Sequence, residues 1–117
     1  MTEAQYRQGP QGSPQGFTRA CALSDLPPGD GAVGVEIAGE PVAIIRAGGE
    51  VYALRDVCSH AEVPLSEGEI YDRTVECWLH GSCFDLRTGD PTGPPATEPV
   101  ATYPVKIEGD DVYVSLG

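Results

Sequence analysis

Apolar residues in this chain come in short bursts and never in a sustained helical stripe. Pro41 to Arg46 (PVAIIR) and Val51 to Leu54 (VYAL) are apolar and rich in β-branched side chains. Gly34 to Ala38 (GVEIA) alternates weakly, and Thr74 to Trp78 (TVECW) is another short run. Near the C-terminus Thr102 to Ile107 (TYPVKI) and Asp111 to Leu116 (DVYVSL) flank Glu108-Gly109-Asp110. Such runs, bounded by Gly and Pro, predict strands. Ala47-Gly48-Gly49-Glu50 and Glu108-Gly109-Asp110 predict hairpin turns between neighbouring runs. Pro104 has no N–H to give to a ladder, so it marks an edge strand or a strand start. Leu65 to Ile70 holds one helical turn at most. Strand after strand with this punctuation predicts an all-β sandwich or barrel.

Residues 1–16 break from this pattern. They read MTEAQYRQGPQGSPQG, with Gln, Gly and Pro dominant and almost nothing apolar. Such a segment cannot offset the entropy of ordering, so residues 1–16 are expected to be a flexible tail and residues 17–117 the folded domain. The whole chain of 117 residues fits one domain.

The formal net charge of −11 argues against nucleic acid and against anionic membrane surfaces. It favours solubility and a partner with a basic docking patch. The N-terminus has no apolar signal core and no twin-arginine pair, and no apolar run is long enough to span a bilayer. These features predict a cytoplasmic protein, whose four cysteines are then reduced thiols or metal ligands more readily than a disulfide framework.

The chemistry lies in two segments, Cys58-Ser59-His60 and Cys77-Trp78-Leu79-His80, separated by residues 61–76. Each offers one thiolate and one imidazole, and each is followed by a break in regular structure, at Pro64 and Gly81. Two mixed loops match a 2Fe–2S cluster in which Cys58 and Cys77 hold one iron while His60 and His80 hold the other. Two ferric ions, two sulfides and two thiolates sum to zero charge. Such a cluster accepts an electron more easily than an all-cysteine one, which starts negative. Zinc takes the same ligand types, although usual zinc fingers pair Cys with Cys and His with His. A zinc-stabilised β interaction module, or unliganded core residues, are the competing readings.

The two-part motif, continued by Gly81-Ser82, resembles the Rieske iron–sulfur domain. Phe84-Asp85-Leu86-Arg87-Thr88-Gly89 resembles the Rieske ferredoxins of bacterial aromatic-ring dioxygenase systems. Gly93-Pro94-Pro95 is similar to the proline loop that covers the cluster in that family, and TYPVKIEGDDVYVSL to its closing hairpin. The resemblance implies antiparallel sheets with both cluster loops at one tip, and a Ser82 hydroxyl able to donate to a bridging sulfide. It also implies a one-electron carrier serving a flavin-dependent reductase and a terminal oxygenase. A Rieske partner in iron–sulfur cluster assembly and a small subunit of a nitrite reductase are alternative roles.

Respiratory Rieske proteins carry a loop-stapling disulfide and a tyrosine that donates to a cysteine ligand. The matching positions here are Val63, Leu79 and Phe84, which can supply neither. Fewer donors to sulfur predict a midpoint in the low part of the Rieske range. The chain has only His60 and His80, so no histidines remain for a second catalytic iron or for a nucleophile's base. A carrier without a small-molecule substrate of its own is expected. Cys21 and Cys83 are read as packed thiols. Trp78 is read either as packing or as part of a docking face, to which Glu62, Glu67 and Glu69 are candidates to contribute.

Overall fold

A computed structural model describes residues 16–58, 63–78, 81–94 and 96–116. Its centre is a sheet of four antiparallel strands: β2 (Gly31–Ile37), β3 (Glu40–Ala47), β4 (Glu50–Arg55) and β8 (Thr102–Tyr103), in the order β2-β3-β4-β8. A second sheet has the order β1-β10-β9, from β1 (Thr18–Ala22), β9 (Val105–Glu108) and β10 (Asp111–Val114). The third joins β5 (Glu69–Tyr71), β6 (Thr74–Glu76) and β7 (Cys83–Asp85) in chain order. The predicted all-β class holds.

Alternation along β3 explains the arrangement. Side chains on a strand point to opposite faces in turn. Ala43, Ile45 and Ala47 enter one buried cluster with Leu54, Val75, Phe84 and Leu86. Val42 and Ile44 enter the other, with Ala53, Val112 and Val114. The central sheet is therefore covered on both faces, which is why PVAIIR reads as continuous apolar sequence and not as alternation.

Both predicted hairpins form, β3–β4 around Gly48-Gly49 and β9–β10 around Gly109. TYPVKI is two strands and not one. β8 pairs with β4 in the central sheet, whereas β9 pairs with β10 in the second. Pro104 stands at this change of sheet, where its missing N–H interrupts no ladder. The helical turn expected in Leu65 to Ile70 is a single 3-10 turn, Leu65–Glu67. Of the predicted tail, residues 1–15 lie outside the described residues. Among the described residues no helix is long and apolar enough to cross a membrane.

Candidate metal centre

Cys58 follows the end of β4, and Cys77 directly follows β6. Both are buried, 2 % and 0 % exposed, in the cluster that also holds Leu65, Val75, Phe84 and Leu86. The fold thus brings the two predicted thiols into one apolar core on one face of the central sheet. His60 and His80 lie outside the described residues. Thiolates in an apolar core are costly unless a cation neutralises them. Two such sulfurs, rooted in two separate loops, fit a ferric ion shared between those loops.

Each cysteine is fixed by its own backbone. The Cys58 N–H donates to the Val63 carbonyl at 3.0 Å, across the first loop. The Cys77 N–H donates to the Ser82 carbonyl at 2.6 Å, and the Gly81 N–H donates back to the Cys77 carbonyl at 2.9 Å. The two loops are drawn together at Gly68. A Cβ there would lie 1.8 Å from the Glu76 carbonyl oxygen, so only glycine lets the exit of the first loop pass beside the strand that leads into Cys77.

Ser82 is fully buried. Its Oγ accepts a hydrogen bond from the Ala96 N–H at 3.1 Å. The Thr92 N–H donates to the Cys83 carbonyl at 2.8 Å. These two bonds tie both flanks of Gly93-Pro94-Pro95 to the second cysteine loop. Pro95 itself lies outside the described residues. Because Oγ acts as acceptor toward Ala96, the hydroxyl hydrogen remains for a second bond.

Phe84 is completely buried on β7, and Val63 packs partly buried against the same cluster. Trp78 is 51 % exposed, so it is a surface side chain and not core packing. Tyr71 is also exposed, and its hydroxyl donates to Glu69. Glu69 stands opposite Glu76 across β5 and β6. Glu62 lies outside the described residues. Cys21 is buried in the opposite cluster, Cys83 is half-buried on β7, and the two form no disulfide. Burial, and then the Glu76 carboxylate, push the Cys83 thiol above its ordinary pKa, which keeps it protonated. The sequence reading overlooked Asp56, a carboxylate only 8 % exposed. Its one signal was an acidic residue inside an apolar strand end, two positions before a ligand-type cysteine.

The family model for the Rieske [2Fe-2S] domain matches residues 16–104. The chain belongs to the Rieske 2Fe–2S family. It is 46 % identical over 100 residues to the ferredoxin component of biphenyl 2,3-dioxygenase from Rhodococcus jostii, covering 86 % of this chain and 92 % of that one. It is also similar to the solved ferredoxin of carbazole 1,9a-dioxygenase from Nocardioides aromaticivorans. That likeness has a TM-score of 0.79 and 37 % identity, over 85 % of this chain and 96 % of that one. A ferredoxin solved as a complex of reduced oxygenase and oxidized ferredoxin in carbazole 1,9a-dioxygenase matches with a TM-score of 0.78 and 36 % identity, over 87 % and 94 % of the two chains. As a Rieske ferredoxin the chain carries a 2Fe–2S cluster and transfers electrons, without catalysing a reaction on a substrate itself.

Proposed function

We propose that Cys58 and Cys77 hold one iron of the cluster, that His60 and His80 hold the other, and that Ser82 donates its spare hydroxyl hydrogen to a cluster sulfide. When bound, the cluster takes up and releases one electron at a time. The protein's part is to keep Cys58 and Cys77 in fixed, water-free positions, through the cross-loop bonds to Val63 and Ser82. The observation that carries this reading is the burial of both thiols in one apolar cluster at the roots of two loops.

The electron comes from a flavin-dependent reductase and passes to the terminal oxygenase of a ring-hydroxylating dioxygenase system. The names of the relatives support the oxygenase side of this pairing. Exposed Tyr71 with Glu69 and Glu76 across β5 and β6 offers an aromatic and acidic surface on the strand that leads into Cys77, and exposed Trp78 follows that cysteine. Such a face suits a basic partner surface. A cytoplasmic location accords with Cys21 and Cys83 remaining thiols.

Stopped-flow mixing of the reduced protein with a ring-hydroxylating terminal oxygenase tests this. Fast reoxidation that slows as salt is raised is expected. Reoxidation no faster than with an unrelated, equally basic electron acceptor contradicts it.

A further inference from the structure

Asp56 and Ser66 stand at the two ends of the first cysteine loop. Asp56 follows β4 and precedes Cys58 by two residues, and Ser66 lies in the 3-10 turn Leu65–Glu67 beyond the loop. The Ser66 N–H donates to Asp56 Oδ1 at 2.6 Å, and the Ser66 hydroxyl donates to Oδ2 at 2.7 Å. The backbone is held as well, since the Asp56 N–H donates to the Pro41 carbonyl at 3.0 Å. Among the described residues Asp56 makes no ion pair. A buried carboxylate is costly, and here two short charge-assisted bonds from a single residue offset that cost.

The clasp is also closed from below. Gly34 on β2 lies against it, and a Cβ at that position would sit 2.7 Å from Asp56 Oδ2 and 2.9 Å from Ser66 Oγ. Glycine at 34 therefore leaves the space that both oxygens occupy. Around the loop the bonds are nested. Asp56 to Ser66 is the outer one, and Cys58 to Val63 the inner one.

We infer that Asp56 is a positioning residue for the cluster. Together with Ser66 and Gly34 it sets the width of the first loop, and so the place of the Cys58 sulfur. This inference rests on the proposed ligation by Cys58. Apolar residues would stabilise a buried site at least as well as a carboxylate. What the carboxylate adds is direction: two acceptor oxygens gripping one serine leave the loop a single width.

The test compares Asp56→Ala, Asp56→Asn, Ser66→Ala and Gly34→Ala in the cluster-loaded protein. Two readouts are used: the rate of cluster loss to an iron chelator, from visible bleaching, and the EPR line shape of the reduced protein. Asp56→Ala and Gly34→Ala are expected to lose the cluster about tenfold faster and to broaden the signal. Ser66→Ala, which keeps the bond from its backbone N–H, is expected to show a smaller effect in the same direction. Asp56→Asn keeps an acceptor for that N–H and can donate to the hydroxyl, so it restores most of the retention.

Wild-type bleaching and line shape in both Asp56→Ala and Ser66→Ala overturn the inference, even if the melting temperature falls. So does an Asp56→Asn protein as defective as Asp56→Ala, because charge and not the two hydrogen bonds to Ser66 would then be at work. If Asp56→Ala does not accumulate folded, Ser66→Ala decides by the same two readouts. Cys58→Ala separates the two levels of the argument. Retention of the cluster in that variant removes the ligation itself, whereas its loss beside wild-type behaviour in both Asp56→Ala and Ser66→Ala removes only the clasp.

Discussion

The two faces of the central sheet are buried to a similar degree but built from different material. Toward β1, β9 and β10 the buried residues are Cys21, Leu26, Ile37, Val42, Ile44, Ala53, Val112 and Val114, aliphatic apart from one thiol. Toward β5, β6 and β7 the cluster contains Cys58 and Cys77 among its aliphatic and aromatic members. Ser82, one of only two buried polar residues among the described ones, flanks the second cysteine loop, and the other, Asp56, flanks the first. Buried polar atoms cost free energy until they find partners. The first face is thus a store of stability that stands without help. The second also holds the two loop cysteines and the polar side chains that flank them, and a bound cluster adds its binding energy to the folded state.

Substitutions on the two faces sharpen the contrast. Among the described residues Phe84 is the largest fully buried side chain, and it belongs to the cysteine-bearing face. Phe84→Ala is expected to cost about 3–5 kcal/mol, read by denaturant unfolding of the loaded protein, and to hasten cluster loss. Ser82→Ala leaves the buried Ala96 N–H without its acceptor. The expected cost is about 1–3 kcal/mol, with a lower midpoint potential because a donor to the cluster is gone. An unchanged potential in a folded Ser82→Ala protein removes that donor from the account.

The subtlest pair uses neighbours on one strand. Ile44 and Ile45 are both completely buried, and they face opposite clusters. Ile44→Val and Ile45→Val are each expected to cost about 1 kcal/mol, yet only Ile45→Val should hasten bleaching by a chelator. Equal bleaching in both variants breaks the distinction between the faces.

Much of this was legible in the residues. The apolar runs from Pro41 to Leu54 mark β3 and β4 because both strands bury residues on both faces, and β3 carries the β-branched Val42, Ile44 and Ile45. β5 and β7 left little trace. Each has three residues, of which only Phe84 is fully buried, so packing and pairing define them more than propensity does. β1 begins with the exposed Thr18 and Arg19, and its pairing with β10 at the far end of the chain is not a local property. The cysteines announced themselves by spacing with the histidines. Asp56 did not, because a carboxylate's burial depends on a serine ten residues on and a glycine on a different strand. Pro104 marks an edge or a strand start in the sequence, while the change of sheet it permits is a tertiary property.

A redox titration of the loaded protein, run beside His80→Cys, tests the central claim most directly. Mixed cysteine and histidine ligation predicts a single one-electron wave within the Rieske range, in its low part and below about +100 mV. It also predicts that His80→Cys, if it assembles a cluster, titrates at a lower potential, because a thiolate adds negative charge. A wild-type midpoint near about −400 mV, as in plant-type all-cysteine clusters, or a colourless zinc protein with no redox wave, contradicts the account.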